Sequence, residues 1–263
     1  MEALNLGYSV AGAFVGFLVG LTGVGGGSLM APILILFFGM NPAVAVGTDL
    51  WFAAITKAAG GTIHHKLGSA DWQVVRRLCL GSLPAAVLTL LWLALFHDGR
   101  LESQSLMVLL GAALLLVAVL MAMRSRMEQP LRRLRTALGP SMRGKQWGAT
   151  VAGGVAVGVL VTLTSVGAGA LVAVLLAMVY PLRLNAKTIV GTDIIHAVPL
   201  TLVAAIGHSW LGNVDLWLLL SLLIGSLPGI VAGSLVAGRV NDNLVRYALA
   251  AMLVVSGTKL LTQ

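Results

Sequence analysis

The sequence predicts an all-α polytopic membrane protein, and three observations lead to this fold class. The chain of 263 residues is 58% hydrophobic and only 10% charged, and its mean hydropathy is +0.97. Such a composition lies far from that of a soluble domain. Uncharged runs of roughly 20 residues, enough to cross the hydrocarbon core of a bilayer, recur along the chain. The third observation is that the two halves of the chain repeat each other.

The repeat is visible as matching motifs at a constant offset of 144 residues. Gly47-Thr48-Asp49 matches Gly191-Thr192-Asp193, and Gly81-Ser82-Leu83-Pro84 matches Gly225-Ser226-Leu227-Pro228. Upstream, after a gap of two residues, Leu21-Thr22-Gly23-Val24-Gly25-Gly26-Gly27 pairs with Leu163-Thr164-Ser165-Val166-Gly167-Ala168-Gly169. Internal repeats of this kind indicate two copies of one membrane unit.

Each unit is predicted to contain a long glycine-interrupted segment followed by three helices. The predicted segments are 8–38, 42–65, 74–97 and 103–123 in the first unit, and 147–180, 186–208, 215–238 and 243–261 in the second. Asn41 and Asn185 precede the second segment of each unit and are suited to N-capping. Repeat 1 is therefore 1–123 and repeat 2 is 147–263. Between them, 124–146 is predicted to be a basic cytoplasmic linker.

The distribution of Lys and Arg predicts the orientation of the units. Basic residues follow the second segment of the first unit (Lys66, Arg76, Arg77) but precede that of the second (Arg183, Lys187). Because cytoplasmic loops are enriched in Lys and Arg, the two units should face opposite ways. The predicted architecture is two inverted repeats, each a glycine-broken re-entrant segment plus three transmembrane helices, with both termini outside. The alternative is eight full crossings with parallel repeats and both termini inside.

Several function classes are disfavoured by the sequence. The net charge of +8 owes much to the linker, since seven of the seventeen basic residues lie within 124–145, so we expect no nucleic-acid partner. A single cysteine, Cys79, forms no internal disulfide. Metal-ligand spacings and nucleophile motifs are lacking, and Gly23–Gly27 is not followed by the Lys-Thr/Ser of a phosphate loop. We therefore predict that the protein is not an enzyme and has no metal site and no cofactor.

Lys57 stands near the middle of an apolar stretch, 42–63. A charge at the bilayer centre costs about 2.5–3.5 kcal/mol on insertion scales, so it persists beside a partner, a wet cavity or a ligand. The glycine clusters lie at membrane depth too, where freed amides at the start of a half-helix are suited to an anion. The predicted substrate-binding residues are Thr22, Gly23, Gly25, Gly26, Gly27, Ser28, Lys57, Thr164, Ser165, Gly167 and Gly169.

The repeated Gly-Thr-Asp motif predicts a second set of residues, for coupling or gating: Thr48, Asp49, Thr192, Asp193 and His196. Lys57 lies eight residues after Asp49, about 12 Å along the same helix, so a partner from the other unit is more plausible. Asp193 and His196, three residues apart, could form a proton-handling pair. A purely structural role, with each Asp bonded to amides of a broken helix, fits equally well. His64 and His208 are expected to be solvated at helix ends.

The paired motifs, together with Asn41-Pro42 and Ala45-Val46, resemble the TauE/SafE sulfite exporter family, also called the DUF81 or toluene sulfonate uptake permease family. The resemblance covers essentially the whole chain. It implies transport of small sulfur-containing anions, such as sulfite, sulfonates or sulfoacetate-like organic anions, across the bacterial inner membrane. Members of that family commonly have Ser after the Gly-Thr pair, where this chain has Asp49 and Asp193.

The residues and the resemblance together predict a secondary transporter, exporter or permease, that works by alternating access around a site near the membrane midplane. The expected partners are a small anionic substrate, membrane lipid and a coupling proton or cation. The alternative is an ion channel with an Asp-lined constriction. A face of small residues, Gly225, Gly229 and Gly233, fits a homodimer interface or internal packing equally well.

Overall fold

The fold is helical throughout the part of the chain that the computed structural model describes, which is 6–22, 26–66, 70–138, 145–237, 240 and 242–263. The predicted all-α class is confirmed. Ten α-helices lie in these ranges: α1 (Leu6–Thr22), α2 (Met30–Phe38), α3 (Pro42–Lys66), α4 (Trp72–Phe96), α5 (Ser103–Leu138), α6 (Lys145–Thr164), α7 (Ala170–Val179), α8 (Ala186–Trp210), α9 (Leu216–Ala237) and α10 (Asp242–Leu261).

Five helical segments of the described residues are long and apolar enough to cross a membrane. They are Trp72–Phe96, Ser103–Met123, Lys145–Thr164, Ala186–Trp210 and Leu216–Val236. Their length follows from the bilayer, because about 20 residues at 1.5 Å per residue span the hydrocarbon core. The protein is therefore a multi-pass membrane protein, as its composition predicts.

Side-chain caps begin the helices that follow the short loops. The Asn41 side chain accepts from the Ala43 amide at 3.0 Å, and the Asn185 side chain accepts from the Thr188 amide at 2.9 Å. Asp71 caps α4, and the Asp215 carboxylate accepts from the Leu218 amide at 3.0 Å in α9. Each cap satisfies an amide that the first helical turn leaves without an intrahelical acceptor. The predicted caps of α3 and α8 are thus present.

In both glycine-broken segments, the end of the segment lies beside its beginning. Near the start of α1, the Tyr8 ring lies 4.7 Å from that of Phe38 at the end of α2. At the start of α6, the Gln146 side chain donates to the Val179 carbonyl at the end of α7, at 3.0 Å. The returning helices have 9 and 10 residues, about 15 Å, which is about half of the roughly 30 Å thickness of the hydrocarbon core.

Helix pairs across the two halves are reciprocal. α1 packs along α9, α4 packs along α6, and α3 packs against α8. The Trp51 indole, early in α3, donates to the Ser209 hydroxyl, late in α8, at 2.8 Å, so these two helices run antiparallel. Contacts of α1 with α9 recur every four residues, and the residue numbers rise together in both helices. The same holds for α4 with α6, so the two helices of each pair run parallel. In each of these three pairs, a helix of one unit therefore packs against a helix of the other unit.

Glycines bring these helix pairs into close contact. A Cβ at Gly225, Gly229 or Gly233 of α9 would overlap backbone atoms of α1. On the other side, three glycines of α1 face the backbone of α9 in the same way: Gly12, Gly16 and Gly20. Small residues permit such backbone approach in a membrane, where packing replaces the hydrophobic driving force. The small-residue face of α9 is thus used for internal packing.

Two features differ from the sequence prediction. The α5 helix continues to Leu138, so the first part of the predicted linker, 124–138, is helical rather than separate from the preceding span. His208 is only 4% exposed, and its Nε2 lies 2.9 Å from the Thr162 carbonyl. The expectation of a solvated ring is wrong for His208, because the ring is directed to the Thr162 carbonyl of α6 rather than to the exposed end of α8. The side chain of His64 lies outside the described residues.

Candidate functional site

The break between α6 and α7 is buried and non-helical. Ser165 has φ 58° and Gly167 has φ 104°, and the residues from Thr164 to Gly169 are all buried. The first backbone bond of α7 runs from the Ala173 amide to the Gly169 carbonyl at 2.9 Å. The three preceding amides, of residues 170 to 172, lie in the first turn, where an α-helix offers them no acceptor. Gly169, the N-cap, has no side chain to accept from them either. The positive end of α7 thus lies inside the protein.

Lys57 of α3 contacts this break. Its ammonium donates to the Ala168 carbonyl at 2.6 Å, 111 residues away in the sequence. The partner therefore comes from the second unit, as the distance between Lys57 and Asp49 along the helix led us to expect. The contact has a local structural value as well, because a carbonyl in a non-helical segment otherwise lacks a donor.

Two carboxylates complete a buried charge cluster with Lys57, and we use the name interior cluster for Asp49, Lys57, Asp193 and His196. Asp49 and Asp193 are 0% exposed. The Lys57 ammonium lies close enough to Asp193 and to Asp49 to interact with both charges. The cluster therefore joins α3 of the first unit to α8 of the second.

Asp49 faces the break between α6 and α7, which we call the second break; the first break is the one before α2. Its neighbours are the Ser165 hydroxyl, the Ala31 amide in the first turn of α2, and Lys57. Neither carboxylate oxygen of Asp49, nor the Ser165 hydroxyl, has a hydrogen bond of normal length and angle to the described residues. The carboxylate thus lies at the positive end of α2, which gives it a structural role there, and its two donors, the Ser165 hydroxyl and the Ala31 amide, are near but not in ideal geometry.

His196 does not form the direct pair with Asp193 that the sequence suggests. Its Nε2 lies 2.8 Å from the Ser82 hydroxyl of α4, and its Nδ1 has no hydrogen-bond partner among the described residues. The ring is 0% exposed and lies close enough to Lys57 to interact with its charge. Residues three apart share a helix face, but here the imidazole is directed to the neighbouring helix. Ser82 was not predicted as a site residue, although its recurrence as Ser226 was a signal.

The predicted threonine donors are already engaged. The Thr22 hydroxyl donates to the Leu18 carbonyl at 2.8 Å, and the Thr164 hydroxyl donates to the Leu160 carbonyl at 2.6 Å. A threonine inside a helix commonly bonds back to the carbonyl four residues earlier. Since a hydroxyl has one hydrogen, neither side chain can donate to a ligand in this arrangement. Ser165, outside the helix, keeps its hydroxyl available.

Thr48 and Thr192 connect the units instead of facing the cluster. The Thr48 hydroxyl accepts from the Asp215 amide at 3.1 Å, and the Thr192 hydroxyl accepts from the Asp71 amide at 3.0 Å. Both threonines are 0% exposed. The two bonds are equivalent under the sequence repeat, so the start of each central helix holds the loop of the other unit.

The first break is described only in part. Gly23 and Gly25 lie outside the described residues, whereas Gly26, Gly27 and Ser28 belong to a 3₁₀ turn, Gly26–Leu29, that leads into α2. The charged groups are unequally divided between the units. At the offset of 144 residues, Lys57 corresponds to Thr201 and His196 corresponds to Phe52. The Lys57 ammonium therefore lies at the second break, and the residue that the repeat places at the equivalent position, Thr201, supplies no ammonium for the first break.

A multi-pass helical fold with charged groups buried beside broken helices defines a membrane transporter as a class. The family model described as Sulfite exporter TauE/SafE matches residues 8–260. The chain belongs to the TauE/SafE sulfite exporter family, and it is a multi-pass protein of the bacterial inner membrane.

Curated relatives agree with this class. The chain is 39% identical over 259 residues to the probable membrane transporter protein YjnA of Bacillus subtilis, covering 98% of this chain and 100% of the relative. It is 25% identical over 252 residues to the probable membrane transporter protein YdhB of the same organism, covering 94% and 96%. A probable membrane transporter protein of Haemophilus influenzae is 28% identical over 167 residues, which are 61% of this chain and 58% of the relative. No solved structure matches the chain significantly.

Proposed function

We propose that the protein is a secondary transporter of small sulfur-containing anions, such as sulfite, sulfonates or sulfoacetate-like anions, and that the anion binds at the second break. The observation that carries this proposal is the bond from the Lys57 ammonium to the Ala168 carbonyl, at 2.6 Å. It brings a cation to the first-turn amides of α7, which have no acceptor within the helix. Helix N-termini at membrane depth bind anionic groups in other transporters.

The anion would be bound by three kinds of donor. The first-turn amides of α7 and the Ser165 hydroxyl would donate to its oxygens, and Lys57 would turn from Ala168 to balance its charge. Gly167 and Gly169 would permit close approach, since neither carries a Cβ. In the first unit Gly26, Gly27 and Ser28 would line the opposite side. Thr22 and Thr164 would shape the break rather than donate.

Alternating access would follow from two inverted repeats that move against each other. The antiparallel α3 and α8, the returning half-helices and the reciprocal packing of α1 with α9 and of α4 with α6 support this architecture. Thr48 and Thr192 each accept a hydrogen bond from a loop of the other unit and would act as gating points. Asp49, Asp193 and His196 would carry or position a coupling charge.

Binding can be tested first on purified protein. A ligand at a hundred times its dissociation constant adds about 2.7 kcal/mol to stability. We expect sulfite, methanesulfonate and sulfoacetate to raise the melting temperature in detergent, and acetate and chloride to leave it unchanged. If no sulfur-containing anion stabilises the protein or exchanges across liposomes, the proposed substrate class is wrong.

Lys57→Met then tests the site. The variant should lose both the stabilisation by methanesulfonate and its counterflow in proteoliposomes by at least about tenfold, because one charge-assisted bond contributes about 1.5–3 kcal/mol. Lys187→Met, at an exposed position of α8, is the matched control and should behave like the wild type. Equal loss in both variants, or in neither, contradicts the site. Unitary currents in a planar bilayer would favour the channel instead.

Tags at the two termini test the topology. The inverted architecture puts the N- and C-termini outside and the 124–146 linker inside. A cysteine is added at one terminus of the Cys79→Ala variant. In intact cells, a cysteine-labelling reagent that does not cross the membrane should then label the protein, whichever terminus carries the cysteine. Protection of both termini from the reagent contradicts the inverted arrangement.

A further inference from the structure

The interior cluster has a net formal charge of minus one. Within the apolar, membrane-spanning parts of the described helices, the charged side chains are Asp49, Asp193 and Lys57. Two carboxylates and one ammonium sum to a formal charge of minus one. His196 is counted as neutral, because a second cation beside Lys57 would be repelled. An uncompensated charge in a low-dielectric interior is strongly unfavourable, so the cluster requires a positive partner.

Asp49 is the carboxylate of the cluster that lies beside a hydroxyl, that of Ser165. Both oxygens of Asp49 and the Ser165 hydroxyl are buried without a normal hydrogen bond to the described residues. Besides Lys57, the titratable groups that face this region are Asp193 and His196, from α8. The membrane parts of α2, α5, α6 and α9, which also pack against α3, have no titratable side chain. A carboxylate and a hydroxyl that lie close together suit a proton or a Na⁺ ion.

We infer that the two carboxylates of the interior cluster take up one additional monovalent cation with each transported anion. The inference rests on the proposed anion site. Without anion, the cluster needs one cation to become neutral. A monoanion that takes over Lys57 raises the requirement to two, so the loaded carrier moves one cation more than the empty carrier. Transport of a monoanion is then electroneutral. A dianion would need a third cation, for which the two carboxylates have no place, so it moves with one cation and carries one net negative charge.

Methanesulfonate and sulfoacetate test this relation in proteoliposomes. Both sulfonates are strong acids, so leakage of a protonated sulfonic acid does not mimic coupling. Under an inward tenfold gradient of H⁺ or of Na⁺, imposed separately at zero membrane potential, the wild type should accumulate methanesulfonate and sulfoacetate about tenfold each with one of the two cations. Which gradient works identifies the cation. A potassium diffusion potential should leave the methanesulfonate ratio unchanged and change the sulfoacetate ratio.

Steady-state accumulation does not depend on transport rate, so it also suits slow variants. Asp49→Asn leaves a neutral cluster that still needs one cation with a monoanion, and it should remain coupled through Asp193. The double variant Asp49→Asn with Asp193→Asn leaves only Lys57, which the anion neutralises. It should respond to membrane potential and to neither cation gradient. Glu102→Gln, which neutralises an exposed carboxylate in the loop before α5, should match the wild type.

The outcomes separate the two proposals. Absence of counterflow for either sulfonate contradicts the proposed function. Counterflow without any effect of either cation gradient overturns the coupling inference alone, as do loss of coupling in Asp49→Asn and persistence of coupling in the double variant. If the double variant does not fold, the membrane potential decides in the wild type, and a response of methanesulfonate accumulation to that potential overturns the inference.

Discussion

The Thr48 hydroxyl of α3 accepts a hydrogen bond from the Asp215 amide at 3.1 Å, and the Thr192 hydroxyl accepts from the Asp71 amide at 3.0 Å. The same bond is thus formed twice, once at the start of each central helix. Each loop that precedes α4 or α9 is held by the other unit. If the two units move against each other, these two hydrogen bonds either break or keep each loop attached to the other unit. Their contribution to stability can be measured by substituting the threonines.

Thr48→Val and Thr192→Val should therefore destabilise the protein by similar amounts. Each removes the acceptor of a backbone amide, at a cost of about 1–3 kcal/mol for an unsatisfied buried donor. For a protein of this size that corresponds to a fall in melting temperature of about 2–4 °C for each kcal/mol. Thermal unfolding in detergent measures it.

Thr258→Val is the control for that pair, because the Thr258 hydroxyl is exposed and bonds only within α10. It should change the melting temperature by less than either central variant. A large effect of Thr192→Val together with none of Thr48→Val would show that the two bonds are energetically unequal, contrary to our expectation.

Gly225→Ala should disrupt the packing of α1 on α9. The added methyl group would overlap the Ser9 carbonyl, and backbone atoms cannot move aside as a flexible side chain can. Overpacking typically costs about 1–3 kcal/mol. Gly148→Ala is the matched control, since a Cβ there meets nothing within 4 Å and alanine favours a helix by about 1 kcal/mol. Equal melting temperatures for the two variants would contradict the close packing.

Ser165→Gly should separate stability from anion binding. Ser165 adopts φ 58°, a conformation that costs most residues about 1–2 kcal/mol and glycine little. The repeat has Gly23 at the matching position. The variant should be as stable as the wild type or more so, yet bind methanesulfonate more weakly because a donor is lost. Calorimetric titration and thermal unfolding together measure both effects.

Asp98→Gly provides the comparison for that variant. Asp98 has φ 48° and lies exposed in the loop after α4, far from the break along the chain. It should gain stability for the same backbone reason and leave anion affinity unchanged. Unchanged affinity in Ser165→Gly as well would exclude the hydroxyl from the site.

The ion pair between Arg183 and Asp71 should contribute little to stability. Its atoms lie 2.7 Å apart, but the Arg183 side chain is 42% exposed, and exposed pairs contribute about 0.2–1 kcal/mol. Arg183→Gln should lower the melting temperature slightly in low salt. The difference should vanish near 1 M salt, where the Debye length is about 3 Å. Arg100→Gln, in the exposed loop after α4, controls for loss of charge.

Much of the fold was predictable because the bilayer imposes simple rules on the chain. Helix length follows from hydrocarbon thickness, so apolar runs locate the spans, and the repeat places equivalent motifs at equivalent depths. The glycine clusters correctly predicted the breaks before α2 and α7. The continuation of α5 to Leu138 was not predictable, because the polar residues after 123 end the apolar pattern without ending the helix.

Less of the candidate site was predictable. Lys57 was singled out from its position alone, because burying a charge in lipid is costly. The pairing of His196 with Ser82 and the engagement of Thr22 with its own helix were missed, because the sequence does not tell which way a polar side chain turns when several acceptors are near. The Thr48 and Thr192 motifs were recognised, yet their role in joining the units depends on loops that lie far away in sequence.

The sequence by itself determined that the chain crosses a membrane as two related units, where each unit is interrupted, and that a buried cation must have a partner. Only the tertiary structure decided that this partner is the Ala168 carbonyl at the break before α7, and that Asp49 lies beside Ser165. The physical reason is that helix formation and membrane insertion are governed by local composition. Contacts between residues more than a hundred positions apart depend instead on helix rotation and close packing, which periodicity does not specify.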